Sequence, residues 1–512
     1  MRLRKLFRLL TSKFLLVCLV LLIELALVPA AYYFILFNAS AGVFVALLIA
    51  VVVFDFILVL FIVNADINAE YKIAWLVPIL FIPPAGGFLF LSLRRRKTPR
   101  RQLKILRDKF DGMEEAFYRQ DEGVTRKYEQ AGVFAVQCAA PTRAANFLPP
   151  ADCCDAEYFP SGEAYAARLT EELEKAEKFI FLEYFIIARG KFWDGIVEIL
   201  ERKAAAGVEV RVIYDDIGSM FKVPSNYPAE LEKMGIHCLC FNRFRPVLDV
   251  AQNNRTHRKI AVIDGLTAFT GGINLADEYI NEEHPFGHWK DTGVLVRGRA
   301  AQNFTAMFLQ LWSLYADKED YSAFTVEAPE GDCLCLPFCD SPFDENNVCE
   351  DLYLKIIYNA KKYVYIFTPY LILDGEMKRA LVSAARAGVD VRIVVPGIPD
   401  KKYVYAVTKA FYSQLVKDGI KIYRYTPGFI HAKSIVSDGN CCIVGSSNMD
   451  FRSFYMHFEC DAAFFDERIA GEVEQDFLAT CQVSELVTVD AIKDSVPRLL
   501  YRALLRIFAP LM

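Results

Sequence analysis

Two stretches of the chain carry the residues best suited to chemistry. "HRKIAVIDGLTAFTGGIN" runs from His257 to Asn274, and "HAKSIVSDGNCCIVGSSN" runs from His431 to Asn448. Both follow one pattern, H-x-K-x4-D-x6-G-[GS]-x-N. The chain has only six histidines, so chance predicts roughly 0.02 copies of the H-x-K-x4-D part, and two copies are a duplication. Residues two apart on a strand point the same way. His257 and Lys259 therefore share one face, and so do His431 and Lys433. If the two halves meet about a pseudo-two-fold axis, one pocket holds two imidazoles and two ammonium groups.

That set of groups suits displacement at a phosphodiester. One neutral imidazole attacks phosphorus and forms a phosphohistidine. The other donates a proton to the leaving alkoxide and then takes one from the incoming alcohol. Lys259 and Lys433, with Asn274 and Asn448, would hold the non-bridging oxygens as charge builds. An imidazole nucleophile needs its second nitrogen held by an acceptor. Glu459 and Asp291, the latter in "HWKDTG", sit in strand-like segments after the two motifs and are the candidates. Asp264 and Asp438 complete the motif set, but they end the motif strands and suit fixing a turn better than chemistry. His237, His284, His288 and His457 read as hydrogen-bonded structural residues. No metal or other cofactor is called for, because cations and histidines fill a metal's roles and no carboxylate cluster for magnesium is evident.

The segments around the motifs repeat as well. "AEKFIFLEYFII" (Ala176 to Ile187) matches "AKKYVYIFTPYLIL" (Ala360 to Leu373), and "AAGVEVRVIYD" (Ala205 to Asp215) matches "ARAGVDVRIVVP" (Ala385 to Pro396). Each half reads strand, helix, glycine turn, strand, with Gly207 and Gly388 ending the helices. This predicts an α/β sandwich in each half, over 151–330 and 331–490. A charged connector at 94–150 precedes them and a basic amphipathic helix at 491–512 follows.

Residues 1–93 are of another kind. Phe14 to Phe37 and Val43 to Val63 are apolar runs of bilayer-spanning length, joined by an uncharged five-residue turn. They predict a transmembrane hairpin, with Glu24 and Asp55 inside it either functional or at a helix contact. A third apolar stretch, 73–93, is broken at Pro83-Pro84 and reads as re-entrant or interfacial. Basic residues before the first run (Arg2, Arg4, Lys5, Arg8, Lys13) and after the third (Arg94 to Arg101) place both flanks in the cytoplasm. The reading is a multi-pass protein with a cytoplasmic catalytic part.

The net charge of −5 and the absence of a basic bias in the catalytic part argue against a nucleic-acid partner. Fourteen cysteines, several adjacent or within apolar runs, read as buried thiols in a reducing compartment. A zinc site from His237, Cys238 and Cys240 with Cys333, Cys335 and Cys339 is disfavoured by its C-x-C spacing.

The paired motif resembles the signature of the phospholipase D superfamily. "HRKIAVIDGLTAFTGGINLADEY", "TPYLILD", "HAKSIVSD" and "GSSNMDFRSF" resemble bacterial cardiolipin synthases more closely still, and so does the layout of the whole chain. The resemblance implies two α/β/α halves meeting at one site in a bacterial cell-membrane enzyme. It implies phosphatidylglycerol as substrate and cardiolipin as product at a lipid bilayer, with His257 as nucleophile and His431 as acid/base. Homo-oligomerisation is left open. Hydrolysis, or transfer to another alcohol, is the alternative within the same chemistry. A membrane scaffold with a relic site is a third reading, disfavoured by two intact motifs. The chain departs from the family pattern at Gly293, at His457 and at "CDSP" (Cys339 to Pro342), which bears on head-group preference.

Overall fold

A computed structural model describes residues 41–93, 113, 115–146, 148–244, 250–316, 319–342, 346–488 and 495–511. The chain divides into two compact units, Met1–Lys97 with Arg243–Asn253, and Thr98–Asn242 with Asn254–Met512.

In the first unit, Ala41–Val63 is a single α-helix. Its 23 residues extend about 35 Å, enough for a bilayer core of roughly 30 Å. The third apolar stretch forms two short helices, Ala69–Phe81 and Ala85–Leu93. At about 20 and 14 Å, neither crosses a bilayer alone. Gly87 lets the last of these approach the long helix. A Cβ there would lie 2.6 Å from the Phe54 ring and 3.1 Å from Asp55 Oδ1. Asp55 is thus buried at a helix–helix contact. The expected first span and Glu24 lie outside the described residues.

The second unit holds the duplication. One sheet runs β2 (Asp155–Phe159), β9 (Gly293–Arg297), β7 (Thr267–Gly271), β6 (Lys259–Ile263), β3 (Phe179–Tyr184), β4 (Glu209–Asp215), β5 (His237–Phe241). The other repeats that order as β10 (Cys333–Asp340), β17 (Glu459–Phe464), β16 (Cys441–Gly445), β15 (Ser434–Ser437), β11 (Tyr363–Phe367), β12 (Asp390–Pro396), β13 (Lys421–Tyr425). It gains β1 (Ala151–Cys153) beside β10 and β18 (Ser484–Leu486) beside β13. So the first strand of the expected first half pairs into the second sheet. A parallel pair, β8 (His288–Lys290) with β14 (Gly428–Ile430), ties the halves together.

Both faces of the central strands are covered, which is why they read as unbroken apolar runs. The helices Arg299–Ser313 and Glu467–Gln482 share a core with both sheets, in which Phe181, Phe308, Val436, Phe464 and Phe477 are buried. The outer face of the first sheet packs on Gly162–Glu174 and Lys191–Ala205. Gly207 and Gly388 have φ of 91° and 93° and end their helices as expected. No disulfide joins any of the described cysteines. Cys238 and Cys240 lie in the first sheet and Cys333, Cys335 and Cys339 in the second, so the six-residue zinc set does not sit on one element.

The motif aspartates are builders of this fold. Asp264 (φ 52°) and Asp438 (φ 56°) turn the chain at the far ends of β6 and β15. The Asp264 carboxylate accepts from the amides of Glu177, Lys178 and Phe179 at 2.7–2.8 Å. Asp438 does the same for Lys361, Lys362 and Tyr363 at 2.8–3.0 Å. Each staples the start of the neighbouring strand. A strand rises about 3.3 Å per residue, so Asp264 and Asp438 lie roughly 20 Å along the chain from their histidines. Their place in the candidate catalytic set is corrected accordingly. Asp264→Ala and Asp438→Ala are each expected to lower stability by about 1–3 kcal/mol, read as a drop in melting temperature in detergent, with turnover per folded molecule little changed.

Candidate active site

The histidines lie just ahead of the motif strands, two residues before β6 and three before β15, where the two halves meet. The backbone amide of His257 donates to Phe458 O at 2.9 Å, and that of His431 donates to Lys290 O at 2.7 Å. The residue following each acceptor is a carboxylate, Glu459 and Asp291. Glu459 Oε1 and Oε2 lie 2.9 and 3.0 Å from His257 Nδ1. Asp291 Oδ2 lies 2.7 Å from His431 Nδ1. Sequence spacing associates Glu459 with His431 and Asp291 with His257, but the fold crosses the pairs. Each motif imidazole is held by the carboxylate of the opposite half. A carboxylate at Nδ1 fixes the hydrogen there and leaves Nε2 bare.

The lysines lie beneath the histidines. Lys259 Nζ donates to His257 O at 2.5 Å. Lys433 Nζ donates to His431 O and lies 2.7 Å from His431 Nδ1. All four side chains are buried, the histidines retaining 7% exposure each. Burial, and then the neighbouring lysines, push His257 well below the usual imidazole range. The same causes, against the opposing pull of Asp291, bring His431 to about 4. Burial lowers Lys259 to about 8 and Lys433 to about 7. Burial pushes Asp291 up, but His431 and Lys433 outweigh it and hold it ionised. Burial thus disfavours the charged form of all four basic groups. A phosphodiester supplies the missing negative charge.

The asparagines differ. Asn274 Oδ1 accepts from Ile186 N at 3.0 Å, and its Nδ2 donates to Tyr279 OH at 2.8 Å. Asn274 thereby seats Tyr279, whose ring is 5.3 Å from His431. Asn448 is buried, and its Oδ1, an acceptor, has no hydrogen-bond partner among the described residues.

The glycines of the motif follow from crowding. A Cβ on Gly272 would fall 2.0 Å from Asp291 Oδ1, displacing the carboxylate that orients His431. The matching position in the second motif is Ser446, whose hydroxyl donates to Glu459 Oε2 at 2.5 Å. One half leaves room for its carboxylate and the other hydrogen-bonds it.

Comparisons with known proteins show the family of the chain. Residues 169–312 and 353–480 match the family model described as cardiolipin synthase, PLD-like domain. Residues 53–95 match the phospholipase D-nuclease N-terminal model. The chain is 32% identical to the cardiolipin synthase of Geobacillus thermodenitrificans over 453 residues, covering 85% of this chain and 87% of that one. The chain belongs to the phospholipase D-like family of cardiolipin synthases. A Streptococcus mutans protein of uncharacterised function is 39% identical over 458 residues, 89% of this chain and 99% of that one. Among solved structures, the phosphatidylserine synthase of Haemophilus influenzae superposes with a TM-score of 0.55 at 13% identity, over 73% of this chain and 98% of that one. That likeness is one of fold. As a family member the protein is a phosphatidyltransferase of the phospholipase D type, and it is membrane-associated.

Against this family background, several site residues carry no sequence signal of their own. Phe185 packs edge-on to His257 at 5.1 Å. Trp289 and Phe429 wall His431 at 5.3 and 5.9 Å. Glu183 and Asp215, both raised to about 7 by burial, grip the segment before His257. Thr256 Oγ1 donates to Glu183, and Thr256 N donates to Asp215 Oδ2 at 3.2 Å. His457, expected to be merely structural, lies in the site. Its ring centre is 5.5 Å from that of His257, and its Nδ1 is 3.6 Å from Glu459 Oε1. Arg452 Nε donates to its Nε2 at 3.3 Å. Ligand atoms of His257, His457 and Glu459 fall within 4.8 Å of one another, the composition of a metal site. His257 Nδ1 and Glu459 are engaged with each other, and His457 Nε2 with Arg452. Gly272→Ala is expected to lower turnover at least tenfold by displacing Asp291, while leaving the melting temperature within a few degrees. Steady-state kinetics beside thermal unfolding in detergent checks it.

Proposed function

We propose that the protein is a cardiolipin synthase that transfers a phosphatidyl group from one phosphatidylglycerol to another, releasing glycerol, through a phosphohistidine. The observation that supports this best is the crossed pair of carboxylate-held imidazoles, each with Nε2 bare and a lysine beneath. With the phosphodiester's negative charge in the site, His431 first takes a proton from solvent at Nε2; His257 Nε2 then attacks phosphorus, and the His431 imidazolium gives that proton to the departing glycerol oxygen. His431 then takes the proton of the second phosphatidylglycerol hydroxyl as that oxygen displaces His257. Lys259, Lys433 and the Asn448 amide hold the non-bridging oxygens. Glu459 and Asp291 keep both rings in one tautomer and stabilise the imidazolium when it forms. The sequence-based division into a membrane region, a connector, two catalytic halves and a C-terminal helix stands as part of this reading. So does a multi-pass arrangement with the catalytic unit in the cytoplasm.

The test is to supply the purified protein with phosphatidylglycerol alone and follow lipids and free glycerol. Cardiolipin and glycerol in equal amounts are expected, whereas phosphatidic acid alone would sink the synthase reading in favour of hydrolysis. His257→Ala and His431→Ala are each expected to cost roughly 10²- to 10⁴-fold or more. Brief turnover by His431→Ala should leave a phosphatidyl adduct on His257 detectable by mass spectrometry.

The lysines set the pH dependence. Each is charged only below its own pKa, and those values are about 7 for Lys433 and about 8 for Lys259. kcat/KM, which reports the free enzyme, is therefore expected to fall as pH rises through 7–8. At saturating lipid the fall in kcat should move to higher pH, because bound phosphodiester favours the charged lysines. A flat kcat/KM from pH 6.5 to 9 would contradict this.

A further inference from the structure

The C-terminal helix, Val496–Ile507, is mounted the wrong way round for a helix on a water-facing surface. A helix docked on a soluble domain turns its apolar stripe inward. Here Arg502 and Leu505 are half-buried against the catalytic unit, and the Arg506 guanidinium sits over the Phe411 ring at 4.9 Å. The chain then ends in a short turn, Ala509–Leu511, in which Ala509 is buried. The aliphatic stripe points away. Leu500 is 64% exposed and Leu504 57%, with Val496 and Leu499 beside them. An exposed apolar stripe of this extent marks an interaction surface.

We infer that this stripe is seated in the interfacial layer of an anionic lipid bilayer and holds the catalytic unit against it. The inference rests on the lipid-substrate reading above. Several observations select lipid as the occupant. At 12 residues, about 18 Å, the helix is too short to cross a bilayer but suits lying in its surface. Arg498 and Arg506 lie on the opposite, polar face with Arg502 and remain exposed, so the helix is basic as well as apolar, the composition that suits an anionic bilayer surface. The loops beyond β4 and β12, equivalent in the two halves, also expose apolar residues. Phe221 is 84% exposed in a left-handed backbone conformation (φ 67°), and Ile398 and Tyr403 are exposed in the matching loop and the start of the next helix. That helix, Lys402–Lys417, runs from Tyr403 to beneath Arg506, so one element links the second loop to the C-terminal helix. Bulky residues rarely take positive φ without a reason, and contact with lipid gives Phe221 one.

The experiment places p-benzoylphenylalanine at Leu500 or Leu504 in the full chain, reconstituted into phosphatidylglycerol–phosphatidylcholine vesicles. Glu198, on a different helix, serves as the control position. After irradiation, lipid adducts are expected at 500 and 504 and none at 198. Adducts to the N-terminal helices or to a second copy of the chain, or no adducts at 500 and 504, would overturn the inference. The double variant Leu500→Asp/Leu504→Asp is expected to lose about tenfold in turnover on vesicles yet stay within about twofold of the parent in mixed micelles, where lipid reaches the site without docking. Equal turnover on vesicles, or equal loss in both media, would also overturn it. Lipid adducts without cardiolipin formation would defeat the synthase reading and leave the surface standing.

Discussion

The arrangement on which everything else depends is the exchange of partners between the halves. His257 is oriented by Glu459, and His431 by Asp291. Both carboxylates are fully buried, where an ionised group without a partner is costly. Neither half is electrostatically complete alone, since each would bury a motif imidazole with no acceptor and a carboxylate without the imidazole that it holds. The hydrogen bonds His257 N to Phe458 O and His431 N to Lys290 O set the register of this exchange. They place each carboxylate one residue beyond the backbone atom that its histidine grips. Positioning of the reactive nitrogens is thus a property of backbone pairing between halves, and it does not rely on side-chain rotamers alone.

The same burial explains why the site is unsatisfied until substrate arrives. Four basic side chains share a space with two carboxylates. Burial lowers the pKa of all four, and repulsion from neighbouring cations adds to it for the two histidines and Lys433. A phosphodiester contributes one negative charge and gains another as the transition state forms. The site is therefore more complementary to the transition state than to either free lipid or water, which is where transition-state stabilisation originates. Aromatic walls at Phe185, Trp289 and Phe429 keep the dielectric low and strengthen these effects.

Much of this was legible because duplication writes a pattern twice. The repeated strand–helix–glycine–strand units and the paired H-x-K-x4-D motifs predicted two α/β halves, and the two sheets repeat seven strands in the same order. The histidines and lysines were legible because strand periodicity alone puts them on one face. Glu459 and Asp291 were legible as acceptors, but their crossing was not, since chain distance carries no information about which half a strand end will face. Asp264 and Asp438 share the motif for a reason of local geometry, a left-handed turn and three amides to cap. His457 and Ser446 were missed because neither repeats. The signal that could have exposed Ser446 is the mismatch itself, a serine where the first motif has Gly272. The membrane region was read from composition, and its third stretch divides at Pro83-Pro84 because proline cannot continue the helical hydrogen bonds.

The departures from symmetry bear on which histidine reacts first. Glu459 receives His257 through both oxygens, takes the Ser446 hydroxyl and has the His457 ring at its edge. Asp291 receives His431 through one oxygen, and the amide of Thr292 takes the other. Lys433 also approaches the His431 ring, whereas Lys259 reaches only the His257 backbone. A group that must gain and lose a proton in each cycle benefits from a nearby cation that keeps its protonated form acidic. A group that must carry a phosphoryl substituent benefits from a carboxylate firmly held at its far nitrogen. On that reasoning His257 has the surroundings of a nucleophile and His431 those of an acid and base. The two motifs look nearly interchangeable in the sequence, and only their surroundings distinguish them in the way the proposed division of labour requires.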